Sequence, residues 1–599
     1  MRGSRNEPRQ GLAAALAALL LLASAPPTRA QVGSPVPLIA QAPAAPAPAA
    51  PEPLAPPTAQ TPAVPAPAPP IAPTDDATSL PPPDVAVTAT TLAPVDAGWI
   101  GVLGEAAHPL PQTMWQGTPR ALVAAALPRL APTGSPVLQD LSRRLLLSNA
   151  IAPQGADAPD APSLATLRVG RLVALGDADD ALALIDALPT TMSSEDLDRD
   201  RVELRFAKDD TEGACRDVQT GIGRHQGVWW DRALIACQAL AGDQAKASLG
   251  LGLLREQQAP PDPAFDTLVT ALGGHPAKLD KLPDAHSMLI KLLAAAKLPL
   301  PADAVASADL LSLRAWAANE AVPPLQRLAA AERAAALGAL RPQALADLYG
   351  KVEFKPEELG AAIKQGKAPI APRERALLYR VARTDPAASV RAAVLARLLA
   401  DAKKRGEFIT MARVVAPILH ELTPSDELAS FAPDAVRAIY AAGRAEAAQA
   451  WLAHVDGAAV PGMRLLTRLA TGVAAPGGDA ALQDAVVAVS KRDAAQGALM
   501  LSLLPELGIA VTPGDWAPLI GAPHGAAMPD FAVWTRQQEA TTGKRVGETV
   551  LMTLLLARAG DHLSGEPIVL SRAVAGLKAV GLESEARAVA LEAALAAGL

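Results

Sequence analysis

The chain has 599 residues, of which 50% are apolar and only 3% aromatic, and its formal net charge is −7. A chain of this length and composition can bury an extensive core, which Ala, Leu and Val must build because aromatic residues are so few. The acidic balance disfavours nucleic acid, or an anionic membrane surface, as the main partner.

The first 30 residues have the pattern of a secretory signal peptide. Three arginines (Arg2, Arg5, Arg9) precede the apolar run of residues 11–25, and small residues lead to a predicted cleavage site after Ala30. The run is shorter than the roughly 20 apolar residues that span a bilayer. We therefore expect no membrane span after cleavage, with an uncleaved anchor as the alternative. The pattern predicts a bacterial protein that is periplasmic or secreted.

Residues 31–95 are rich in Pro and Ala and carry almost no charged or aromatic side chains. Such a composition cannot build a core, so this segment is predicted to be a disordered linker. In polyproline II geometry it would act as a semi-rigid spacer. A recognition tract for a partner is the alternative interpretation.

From about residue 96 onwards, apolar residues recur at three- and four-residue spacings broken by Gly, Pro and Asp, which predicts an all-α protein. A short pattern then repeats: GDADDA begins at Gly176, DDTEGA at Asp209 and GDQAKA at Gly242, so the starts are 33 residues apart. GRAEAA at Gly443 and GLESEA at Gly581 have the same spacing. Gly or Asp suits the turn between two helices, and Ala lets the helices pack closely.

These turns resemble the tetratricopeptide repeat, whose inter-helix turn carries a Gly-Asp-x-x-x-Ala element in a 34-residue unit. LGDADDALALIDALP, residues 175–189, is the best local match. The resemblance covers residues 160–260 and two C-terminal units, and it implies an α-solenoid of stacked helical hairpins. We predict N-terminal repeats over 96–265, an irregular helical middle region over 266–430 and C-terminal repeats over 431–599.

The only two cysteines, Cys215 and Cys237, flank the break GIGRHQG, and the midpoint between them is Gln226. In one continuous helix they would lie about 33 Å apart, too far to bond. In a hairpin around Gln226 they face each other, so an oxidising compartment predicts a disulfide. It would join the second helix of one repeat to the first helix of the next. A reactive thiol pair is the alternative, but the spacing is not CxxC.

Each sequence motif that could indicate a catalytic or metal-binding site is incomplete. His420-Glu421 starts like a zinc-binding helix but has no second His. Glu583-Ser584 could be the catalytic pair of a lytic transglycosylase, yet too few residues follow it for a lysozyme-like domain. DLDRDR, beginning at Asp196, lacks the Gly and the terminal Glu of a calcium loop and is interpreted as a solvated helix start. We therefore predict no enzyme, with no catalytic residue, cofactor or metal.

Binding is the remaining activity, because stacked hairpins form a groove suited to extended peptides or partner helices. Trp229 and Trp230 follow the predicted stapled turn, and adjacent Trp residues on a helix cannot both face one core. One of them, together with Arg224, is the candidate partner-binding surface, whereas packing of both is the structural alternative.

The predicted function is that of a non-enzymatic scaffold or adaptor for other envelope proteins or peptides. Two alternatives stay open: an accessory or degenerate cell-wall (peptidoglycan) enzyme, and a structural envelope protein without a specific ligand. A groove with acidic and aromatic residues would favour the cell-wall alternative, and apolar pockets of peptide size would favour the scaffold. The oligomeric state is left open.

Overall fold

The computed structural model describes residues 97–159, 161–362, 370–473, 478–520, 529–559, 562–563 and 565–599. The predicted signal peptide and Pro/Ala-rich linker lie outside the described residues. The described residues belong to one compact unit. Among their helices, none combines the length and the apolar composition needed to cross a membrane.

Twenty-seven α-helices lie in the described part of the chain. The first fourteen are α1 (Arg120–Ala126), α2 (Pro136–Leu147), α3 (Leu164–Ala174), α4 (Ala178–Ala187), α5 (Glu195–Ala207), α6 (Thr211–Gly221), α7 (Val228–Leu240), α8 (Gln244–Glu256), α9 (Pro263–Leu272), α10 (Ser287–Ala295), α11 (Ala302–Ser307), α12 (Leu310–Ala318), α13 (Pro324–Ala336) and α14 (Pro342–Lys351). The others are α15 (Pro356–Ala361), α16 (Pro372–Thr384), α17 (Ala388–Lys404), α18 (Phe408–Glu421), α19 (Ala432–Ala441), α20 (Ala448–Leu452), α21 (Val460–Thr471), α22 (Gly478–Arg492), α23 (Ala494–Leu503), α24 (Phe531–Thr542), α25 (Val546–Leu556), α26 (Pro567–Ala579) and α27 (Glu583–Ala596). An antiparallel pair of two-residue strands, β1 (Arg558–Ala559) and β2 (His562–Leu563), separates α25 from α26. The all-α prediction is therefore confirmed.

Consecutive helices pack against each other as hairpins. The best-packed pairs include α5–α6, α7–α8, α12–α13, α16–α17, α24–α25 and α26–α27. Neighbouring hairpins then pack on one another, as α6 does on α7 and α25 on α26. One continuous core, made mainly of Leu, Ala and Val, runs through all of them. The predicted α-solenoid of stacked hairpins is the observed arrangement.

The turn inside a hairpin is the element that the sequence repeats. Five of these turns have a residue with φ between 64° and 85°: Gly176, Asp209, Gly242, Gly443 and Gly581. In the first of them, Gly176 N–H donates to the Val173 carbonyl over 2.9 Å and Asp177 N–H to the Leu172 carbonyl over 3.0 Å. This pair of bonds closes the end of a helix when the chain turns in the left-handed region. Glycine is favoured there because it has no Cβ.

The alanine five positions after each turn residue packs between helices. All five side chains are fully buried, with exposed fractions of 0%: Ala181, Ala214, Ala247, Ala448 and Ala586. A methyl group at this position lets the second helix of the hairpin approach its neighbours closely. The short repeat in the sequence thus encodes both the turn and the contact that follows it.

The middle region also contains hairpins, although its sequence showed no period. The turn between α17 and α18 has Gly406 at a φ of 75°, with Gly406 N–H donating to the Lys403 carbonyl. Five positions later the residue is Met411, which is buried. The turn is therefore retained here, while a larger side chain replaces the alanine that made the repeat visible elsewhere.

The first helices of the unit contact the last ones. Helix α2 packs against α25 and α27, and Gly547 N–H donates to the Met114 carbonyl over 2.9 Å. At the N-terminus of α2, the buried Glu592 carboxylate of α27 accepts hydrogen bonds from the Ser135 hydroxyl and from Val137 N–H, the latter over 3.0 Å. In a simple repeat array each unit contacts only its neighbours. Here the two terminal apolar faces are buried against each other.

Gly176→Ala tests the packing of the repeat turns. A Cβ at Gly176 would lie 2.5 Å from the Ala339 Cβ and 3.1 Å from the Leu310 Cβ, whereas a Cβ at Gly242 meets nothing within 4 Å. Gly242→Ala should lower the free energy of unfolding by only about 1–2 kcal/mol, the backbone cost of a left-handed residue. Gly176→Ala should lower the free energy of unfolding, measured by urea-induced unfolding, by clearly more than Gly242→Ala does. Equal losses would contradict the packing described for this turn.

Glu592→Gln tests the contact between α2 and α27 through its pH dependence. Burial raises the pKa of the Glu592 carboxyl to about 7, against the opposing effects of Ser135, Val137 N–H and Arg413. Because the folded state then binds the proton more tightly than the unfolded state, Glu592 makes the free energy of unfolding fall as the pH rises from about 4.5 to 7. The Gln variant should lose this part of the pH dependence in unfolding titrations. If the free energy of unfolding had the same pH dependence in the wild-type protein and in the Gln variant, the raised pKa of Glu592 would be contradicted.

Candidate binding cleft

Three successive hairpins present their first helices, α3, α5 and α7, to another part of the same chain. Helix α10 packs against α5 and α7, and helix α12 packs against α3 and α5. The groove expected along these helices is therefore partly filled by the chain itself. An open cavity of about 710 Å³ remains beside them. We call it the cleft, and its walls are α3, α5, Trp229 of α7, residues 284–286, and Ser307 and Asp309.

Helix α5 contributes three carboxyl groups to the cleft, Asp196, Asp200 and Glu203. They follow one another at spacings of four and three residues, which places them on one face of the helix. Asp196 lies in the first turn, where the helix dipole favours an anion. Burial, followed by repulsion from Asp196 and Glu203, raises the pKa of Asp200 to about 7. The α5 wall is thus rich in negative charge, and part of it titrates near neutral pH.

Glu203 joins α5 to the start of α10. Its Oε1 lies 2.8 Å from Nδ1 of His286 as an ion pair, and its Oε2 accepts a hydrogen bond from Met288 N–H over 3.0 Å. Burial opposes the charged form of Glu203, but His286 and Met288 N–H together lower the pKa of its carboxyl. Burial likewise opposes the charged form of His286, and Glu203 outweighs it and raises the pKa of the imidazole. This pair fixes one edge of the cleft.

Asp309, the N-cap of α12, also lines the cleft. Its side chain accepts a hydrogen bond from Ser312 N–H over 2.7 Å. Burial raises the pKa of Asp309 although this hydrogen bond opposes the shift. A carboxylate of the chain itself therefore accepts an N-terminal N–H group of each of the two helices, Glu203 at α10 and Asp309 at α12.

The structure separates the two tryptophans that the sequence singled out. Trp230 is 1% exposed, and its Nε1 donates to Glu195 over 3.1 Å. Trp229 is half-buried and lines the cleft, with the Arg199 guanidinium 4.9 Å above its ring. Arg224 is not part of the cleft wall: its exposed side chain lies 3.7 Å from Asp198. Of the three predicted partner-binding residues, only Trp229 reaches this cavity.

The predicted disulfide between Cys215 and Cys237 is present, and the two Cα atoms are 5.7 Å apart. Cys215 lies on α6, the second helix of its hairpin, and Cys237 on α7, the first helix of the next. The bond therefore links the hairpin that carries the acidic face to the helix that carries Trp229. It thereby ties together two elements whose side chains line the cleft, α5 through its hairpin partner α6, and α7.

Sequence reasoning missed most of the cleft. It interpreted DLDRDR as a solvated helix start, which fits Asp196 in the first turn but not the half-buried Asp200. The spacing of Asp196, Asp200 and Glu203 was the available signal, because three like charges on one helix face destabilise the helix. His286 and Asp309 come from distant segments, and no local pattern points to them.

A second cavity, of about 840 Å³, lies beside α2 and α27. Its charged groups include Glu592, which binds the N-terminus of α2, and Arg144, which pairs with Glu585 of α27. These groups are engaged in the contact between the first and last helices. Within the described residues, no group of three or more His, Cys, Asp or Glu side chains is arranged to hold a metal ion.

Replacing both cysteines with alanine tests how much the disulfide stabilises the protein. A bridge that closes a loop of this size should contribute about 3 kcal/mol to the free energy of unfolding. The double variant should lose that amount in urea-induced unfolding, and its amides in residues 211–240 should exchange faster with deuterium. The reduced wild-type protein is the matched control and should behave like the variant. An unchanged midpoint would mean that the bond does not constrain this region.

Comparison of the chain with protein-family models, with curated proteins and with solved structures finds no match. The cleft and the residues that line it are the features of the molecule that point to a function.

Proposed function

We propose that the protein is a non-enzymatic, exported scaffold or adaptor that binds a segment of a partner protein in the cleft. The observation that carries this proposal is the open cavity along the first helices of three stacked hairpins. Repeat proteins bind partners along such surfaces, because stacking creates an extended groove on rigid elements. The tetratricopeptide-like turns at Gly176, Asp209 and Gly242 are in keeping with this role.

Export is supported by two independent features. The N-terminal sequence has the charge and apolar pattern of a signal peptide. The disulfide between Cys215 and Cys237 belongs to an oxidising compartment such as the periplasm or the extracellular space. We propose the periplasm as the location, and other envelope proteins or peptides as the partners.

A second candidate function, that of an accessory or degenerate cell-wall enzyme, is favoured by one observation. The cleft places Asp200, whose pKa burial raises to about 7, together with other carboxyl groups near the half-buried Trp229. Raised carboxyl pKa values and aromatic surfaces are both features of carbohydrate-active sites. The scaffold remains our first proposal, because the cleft lies along stacked hairpins whose turns resemble those of a partner-binding repeat.

Site-specific photocrosslinking in the native host tests the scaffold. A photoreactive amino acid at Thr166, on the α3 wall, should give a discrete adduct with a partner protein, identified by mass spectrometry. The same probe at Leu249, which is 64% exposed on α8 and outside the cleft, is the matched control and should give none. Trp229→Ala should reduce the Thr166 adduct several-fold while the unfolding midpoint confirms that the variant is folded.

Two outcomes would contradict the scaffold. Equal adducts from both positions would mean that the cleft does not select a partner. Recovery of only peptidoglycan fragments, or of the protein itself, would favour the cell-wall candidate or a purely structural role.

A further inference from the structure

We infer that the cleft recognises a basic side chain, Lys or Arg, on an extended segment of the partner. This inference rests on the proposed function and specifies the chemistry of the same site. Three features of the cleft carry it: its unpaired carboxylates, the open space at Gly170 in its wall, and its size.

The charges in the cleft are not balanced. Asp196, Asp200 and Asp284 form no hydrogen bond and no ion pair within the described residues. Arg171 and Arg199 lie close enough to Asp200 to act against the rise of its pKa, but their guanidinium groups contact other partners: Arg171 donates to the carbonyls of Pro128 and Leu130, over 2.8 and 3.2 Å, and Arg199 covers the ring of Trp229. Asp196 and Asp284, together with Asp200 when it is ionised, are therefore left for a ligand, which makes the cleft complementary to a positive charge.

Gly170 leaves open space beside the backbone in the cleft wall. It lies inside α3 on the cleft wall, and a Cβ there would meet nothing within 4 Å. Glycine inside a helix costs about 0.5–1 kcal/mol relative to alanine. Packing explains other helical glycines, such as Gly221, where a Cβ would lie 2.1 Å from the Trp230 ring. Packing does not explain Gly170, and the same is true of Gly252 on α8; at Gly170, however, the open space faces the cleft, so a bound chain can approach the backbone closely there.

Arg199 is already engaged with the aromatic side chain of the cleft. The Arg199 guanidinium lies 4.9 Å from the centroid of the Trp229 ring, within the range of a cation–π interaction. An anionic ligand is disfavoured, because Glu203 and Asp309 already accept N-terminal N–H groups of α10 and α12. The polar surface that remains is therefore suited to a donor.

The size of the cavity limits the kind of partner. A volume of about 710 Å³ is that of a small-ligand site. It holds one long side chain with the residues that flank it, and it is too small for a helix or a folded domain. An extended segment with a Lys or Arg is the occupant that fits both the volume and the charge.

Fluorescence anisotropy with short labelled peptides tests this inference. The probes alternate Lys with Leu in one peptide and Glu with Leu in its counterpart of equal length. The Lys peptide should bind at least about tenfold more tightly, as expected for a charge-assisted contact, and added salt should reduce the difference. Equal affinities for the two peptides would overturn the inference.

Two sets of variants then locate the recognition. The double variant Asp196→Asn/Asp200→Asn should weaken the Lys peptide about tenfold without lowering the unfolding midpoint, since it removes like-charge repulsion. Gly170→Leu should block binding, whereas Gly252→Leu should not, because Gly252 is equally open but lies on α8 outside the cleft.

The possible failures are distinguishable. If Gly170→Leu blocks binding of both peptides while the Asn variant has no effect, the cleft binds a segment but does not select a basic one, so the inference is wrong and the proposed function stands. If Gly170→Leu leaves the Lys peptide's affinity unchanged, the cleft is not the site of recognition. The inference then fails, and only the crosslinks from Thr166 would still support the proposed function.

Discussion

A helical hairpin cannot bury its own apolar face, and the rest of this structure depends on how the chain meets that constraint. Each hairpin packs on the next through a methyl group that follows the turn, as at Ala181 and Ala214. The end hairpins of an array have no further neighbour. Here α2 packs against α25 and α27, and the Glu592 carboxylate accepts a hydrogen bond from Val137 N–H at the start of α2. The terminal faces are thereby covered by each other.

The same constraint explains the cleft. The first helices of the early hairpins, α3, α5 and α7, are covered in part by α10 and α12, which bury apolar surface there. Where that covering ends, carboxylates and Trp229 line an open cavity. The disulfide and the Glu203–His286 pair hold its walls together. A rigid surface with unpaired charge is suited to recognising a partner, and no moving part is required.

The parts of the fold that were predictable from sequence are those that local chemistry encodes. The turns at Gly176 and Gly242 are recognisable in the sequence, because a left-handed residue and a close helix contact require Gly and Ala at a fixed spacing. The disulfide followed from a hairpin placed between two cysteines. The cleft could not be predicted, since Glu203 meets His286 from a distant segment. The hairpin at Gly406 was not predicted from the sequence, because Met411 stands where the repeated pattern has an alanine.

If the contact through Glu592 couples the two ends of the chain, the first and last helices of the unit unfold as one cooperative structure. Hydrogen–deuterium exchange of the intact protein, followed by mass spectrometry across a denaturant series, measures this coupling. Amides in α2 and α27 should open with the same free energy and the same dependence on denaturant. Opening of α2 at a much lower free energy, with α27 still protected, would show that the contact through Glu592 does not couple the two ends.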